Sequence, residues 1–83
     1  MPGPVKRSVA IAGHSTSISL EPVFWDALGE AAAEMRLPLS ALVARIDAAR
    51  IEADDPPNLA SAIRVWLFER ARAGGADKFA GPY

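Results

Sequence analysis

The stretch GHSTSISLEP, residues 13–22, alternates small polar with aliphatic side chains and then stops at a Glu-Pro pair. A period of two puts Ile18 and Leu20 on one face of a strand and Ser17 and Ser19 on the other, the pattern of a half-buried strand. Upstream, KRSVAI (6–11) alternates as well, with Val9 and Ile11 in phase. Ala12-Gly13-His14 can turn the chain back so that the two stretches meet as a hairpin. A hairpin alone is marginal in water and keeps two unpaired edges. The economical alternative pairs the strand antiparallel with its copy in a second chain, and a partner is wanted in either case.

Downstream the period changes to that of helices. Pro22 suits a first helical turn, where its missing amide hydrogen costs nothing, and Glu21 beside it favours the positive end of the helix. Through PVFWDALGEAAAEMR (22–36), Phe24, Ala27, Leu28, Ala31 and Met35 recur at helical spacing, with Asp26, Glu30 and Glu34 on a charged flank. Pro38 marks the end of this helix. A second helix runs from about Leu39 to Ile51, collecting Leu39, Leu42, Val43, Ile46 and Ala49 on one side while Arg45 and Arg50 face outward. The acidic connector EADDPPN (52–58) closes with Asn58, a favoured N-cap. The third helix, LASAIRVWLFERARA (59–73), gathers Leu59, Ala62, Ile63, Trp66 and Leu67, and Gly74-Gly75 is expected to stop it. The expected organisation is a loose arm over 1–5, a single domain over 6–72 and a flexible tail over 73–83.

With 83 residues, the chain has room for one small domain and buries only a modest share of its surface when folded alone. It has no cysteine and a single histidine, so a disulfide framework and a thiolate zinc site are excluded and a histidine-based metal site is disfavoured. The remaining support for so small a core is a second chain. No apolar run is long enough to span a bilayer and the amino terminus lacks a secretory apolar segment, so no membrane association is expected and the cytoplasm is the default location. Asp26, Glu30, Glu34 and Asp47 are spaced as a solvated helix surface requires, and the lone His14 has no orienting partner to make a nucleophile and base. Neither an enzyme nor a bound cofactor is expected. The formal net charge of −1 gives no push toward nucleic acid, yet residues 1–20 hold Lys6 and Arg7 and no acidic residue, so one end is locally basic.

KRSVAIAGHSTSISLEPVFWDAL (6–28), followed by LSALVARIDAAR (39–50), resembles the ribbon-helix-helix family, and more closely a small bacterial group of ribbon-helix-helix domain proteins. The resemblance covers roughly residues 6–68. It implies a mostly α fold with a short N-terminal β-ribbon, built as an intertwined homodimer, here with an additional C-terminal helix. Its implied function is that of a DNA-binding transcriptional regulator, a repressor, whose two-stranded ribbon enters the major groove of double-stranded DNA. Strand parity then gives Ser15, Ser17 and Ser19 to base edges. Ile18 and Leu20 go to a shared dimer core with Phe24, Leu28, Leu42, Val43 and Ile46. Phosphate contacts are expected from Lys6 and Arg7 and from the start of the second helix at Ser40. Where the family turn often reads Gly-x-Ser-x-Ser, this chain has Arg36 and Pro38 in place of the glycine and the first serine. One hydroxyl is thereby lost, and Arg36 can supply charge in exchange. The alternative reading is a dimeric protein-interaction module, with weak or no DNA binding, in which the third helix docks a protein partner through Trp66 and Phe68.

Overall fold

The computed structural model describes residues 2–78, with the side chains of 75–78 left aside. Two strands, β1 (Val5–Ile11) and β2 (His14–Leu20), are followed by α1 (Pro22–Glu34), α2 (Leu39–Ile51) and α3 (Leu59–Lys78). The hairpin is the pairing the single chain adopts: β1 lies antiparallel to β2, with Val5 opposite Leu20, Arg7 opposite Ile18 and Ile11 opposite His14. Two residues close it. Ala12 and Gly13 have φ of 49° and 84°, the paired positive values of a type I′ turn, whose twist matches that of the strands it joins. So short a loop makes pairing within the chain cheap in entropy, which is why β2 does not need a second copy to find one neighbour.

Strand parity holds. Ile18 and Leu20 are 2% and 0% exposed, and Val9 joins them from β1, while Ser15 and Ser17 stay exposed. Beneath this face the core gathers Leu28 of α1, Leu42, Val43 and Ile46 of α2, and Ile63 and Leu67 of α3. The helix α2 packs against β1 and α3 packs against β2, with α1 touching both helices. One chain therefore already buries six of the residues expected in a shared dimer core. Phe24 is the exception: it is half-buried, and its neighbour Trp25 takes the buried place. The indole of Trp25 lies under the ribbon, where Nε1 donates a hydrogen bond to the Val5 carbonyl at 2.9 Å. That bond satisfies the polar edge of a buried ring and anchors β1 to α1.

The ends of the helices follow local chemistry. Although the helical spacing reaches Arg36, α1 stops at Glu34. Arg36 adopts φ of 57°, and the Leu37 and Arg36 N–H groups donate back to the carbonyls of Ala32 and Ala33, a Schellman closure. The bounds of α2 agree with the expected ones. Asn58 caps α3 as its type suggests, its Oδ1 accepting from the Ser61 N–H at 2.8 Å. Gly74-Gly75 does not stop α3, which continues to Lys78. A glycine costs only about 1 kcal/mol in a helix already nucleated, and the alanines around the pair are the best helix formers. Residues 73–78 of the expected tail thus belong to α3. Residues 79–83 of the tail, and Met1 of the expected arm, lie outside the described residues.

Candidate nucleic-acid interface

The outward face of the hairpin is set by its register. Lys6 stands opposite Ser19, Ser8 opposite Ser17 and Ala10 opposite Ser15, so one face carries four hydroxyls, one ammonium and one methyl group. Because the turn has two residues, Ile11 and His14 form a hydrogen-bonded pair, and these three outward couples are the closer, non-hydrogen-bonded kind. Opposed Cβ atoms in such pairs lie on the order of 5 Å apart. The surface is low, polar and free of acidic groups. Ser15, Ser17 and Ser19 were legible in the alternation of β2, and the contribution of Ser8 and Ala10 follows from the same alternation in β1 once the two strands are paired.

Lys6 and Arg7, neighbours in sequence, part company here. Lys6 lies on the outward row and has no ion-pair partner among the described residues. Arg7 is on the opposite face, exposed, with its guanidinium 5.1 Å from the centre of the Trp25 ring. A cation over an indole is held by the ring quadrupole, so Arg7 has a fixed seat beside the ribbon instead of on its reading face.

A second set of groups lies at the start of α2. Pro38 occupies the N-cap and supplies no side-chain cap. The N–H groups of Ala41 and Leu42 donate to the Pro38 carbonyl at 3.0 and 3.2 Å, which leaves those of Leu39 and Ser40, the first in the helix, without an intrahelical acceptor. Ser40 is half-buried, and exposed Arg36 precedes the cap by two residues. Packing of α2 against β1 ties this turn to the ribbon.

On the other side, Arg64 of α3 closes the junction between ribbon and α1. Its Nη2 lies 2.8 Å from Glu21 Oε1 and 3.4 Å from the Ser19 carbonyl, and its guanidinium is 5.6 Å from the Phe24 ring centre. The Glu21 carboxyl is held below its ordinary pKa by a backbone hydrogen bond first and by the Arg64 side chain second. Arg50 is likewise engaged, with Asp47 at 2.7 Å. These arginines serve the fold, which leaves Lys6, Arg7 and Arg36 as the cations placed around the ribbon and the α2 start. Among the described residues, no group of histidine or acidic side chains could hold a metal ion, and no helix is long and apolar enough to cross a membrane.

A two-stranded ribbon leading into paired helices, with its polar face turned outward, is the architecture of a ribbon-helix-helix protein. The family model described as the ribbon-helix-helix domain matches residues 4–71, and the chain belongs to that family. Its members are typically homodimeric DNA-binding regulators built on a regulatory, non-enzymatic fold. No curated protein and no solved structure matches the chain.

Proposed function

We propose that the protein is a cytoplasmic DNA-binding transcriptional regulator of a bacterium, a repressor acting as a homodimer, whose ribbon reads the major groove. The observation that carries this reading is the outward row, a flat face of hydrogen-bonding side chains without a carboxylate, in a chain of otherwise negative net charge. Ser15, Ser17 and Ser19 meet base edges, since hydroxyls donate and accept and fit either kind of edge. Arg7 and Arg36 lie off the row and suit phosphates, as do the free N–H groups at Ser40. A second copy is favoured because the ribbon still has one unpaired edge on each strand.

The test is binding of duplex DNA at rising salt. Affinity is expected to fall with salt, and the double substitution Arg7→Ala with Arg36→Ala is expected to reduce the log-log slope by about 2, near 0.9 for each lost phosphate contact. Absence of salt-sensitive binding by the unaltered protein would remove the regulator reading. Sedimentation at low micromolar concentration checks the homodimer, and a folded monomer there would remove it.

A second reading has its own observation. Val65 and Phe68 lie one turn apart on α3 and are 55% and 63% exposed. Large apolar side chains so placed suit contact with a protein partner, and this reading stands if DNA binding is absent.

A further inference from the structure

The register of the hairpin separates two cations that are adjacent in sequence, and we infer that Lys6 is the residue that fixes sequence preference, by selecting guanine, while Arg7 contributes affinity alone. This rests on the DNA-binding reading of the ribbon and narrows it to one residue and one base.

Lys6 shares the outward row with Ser8, two residues along β1, and faces Ser19 across the ribbon, with Ser17 diagonal to it. Its ammonium is thus set among three hydroxyls, has no carboxylate partner among the described residues and is exposed. An ammonium has three donors and no acceptor. In the major groove guanine alone offers two adjacent acceptors, O6 and N7, whereas adenine sets a donor beside its N7 and cytosine presents a donor. The serines cannot make this distinction, because each can reverse its hydrogen bond. Among the row's side chains, then, Lys6 is the one group whose hydrogen bonding has a fixed sign. Arg7 has the chemistry to read guanine too, but its guanidinium is seated on Trp25 on the other face, directed away from the bases.

The experiment is selection from a random duplex pool, followed by titration of the preferred site, with unaltered protein and with Lys6→Ala, Lys6→Arg and Arg7→Ala. The unaltered protein is expected to enrich sites with guanine at a fixed position. Replacing that base by 7-deazaguanine, which lacks the N7 acceptor, is expected to weaken binding about tenfold. Lys6→Ala should lose both the enrichment and the sensitivity to 7-deazaguanine while still binding DNA, Lys6→Arg should keep both, and Arg7→Ala should bind every sequence more weakly with the same preference. If Lys6→Ala enriches the same guanine, or loses affinity equally on all sequences, Lys6 is a phosphate contact and the inference falls. Binding without any guanine preference in the unaltered protein also overturns it and leaves the regulator reading intact; absence of all DNA binding removes both.

Discussion

The two faces of the ribbon are made by the same fourteen residues, yet they have opposite requirements. The inward face, Val9, Ile18 and Leu20, is closed over by the three helices, and the outward face, Lys6, Ser8, Ala10, Ser15, Ser17 and Ser19, touches none of the core. A shift of one position along either strand exchanges the two roles, so stability and recognition are separated by parity alone. Substitutions at alternate positions should accordingly fail in different ways.

The largest effect is expected from Leu20→Asp. Its side chain is fully buried among apolar groups with no cation within the core, so the carboxylate either ionises unpaired or must be protonated to fold. Loss of the folded state is expected, read as disappearance of the cooperative thermal transition by circular dichroism. Ser17→Asp, three positions away on the exposed face, should fold normally and lose DNA affinity, because the new charge faces phosphates. A folded Leu20→Asp protein, or an unfolded Ser17→Asp one, would show that the two faces are not divided in this way.

The comparison sharpens at Trp25, which serves both faces by pinning β1 from below. Trp25→Phe keeps most of the buried area and removes the donor to the Val5 carbonyl, at an expected cost of about 1 kcal/mol for the hydrogen bond. Amide exchange should quicken at Lys6 and Arg7, at the start of β1, more than at Ala10 and Ile11 by the turn. Uniform quickening along the strand would show that the indole stabilises the core without positioning the ribbon.

The division of faces was legible in the alternation of residues 13–20, as were α2 and the Asn58 cap, because each is a local pattern with one reading. What escaped the sequence had two. Phe24 and Trp25 are adjacent in an alanine-rich helix that is apolar on several sides, and the choice between them rests on the Val5 carbonyl, a partner twenty residues away. Lys6 and Arg7 read together as one basic patch until the register sends them to opposite faces. Gly74-Gly75 reads as a stop, but continuation through it is decided by the strength of the helix already formed. The turn was readable as a place where the chain reverses, though pairing with a second copy remained open until the I′ geometry was seen.

The smallest expected effects concern two residues that share a backbone conformation and differ in purpose. Ala12 and Arg36 both have positive φ, where a side chain costs about 1 kcal/mol relative to glycine. Glycine at either position is expected to raise stability by about 0.5–1 kcal/mol, the relieved strain being partly offset by greater freedom of the unfolded chain. Ala12 lies in the hairpin turn and offers only a methyl group, so Ala12→Gly should leave DNA affinity unchanged. Arg36 stands where the family turn often has glycine, in exposed chain just ahead of the free N–H groups of α2. If that strain is retained for a phosphate contact, Arg36→Gly should gain stability and lose affinity together, with the salt slope reduced by about 0.9. Thermal denaturation and a salt titration on the same two proteins decide the matter. A stabilised Arg36→Gly protein with unchanged affinity would make Arg36, like Ala12, a tolerated misfit in a turn.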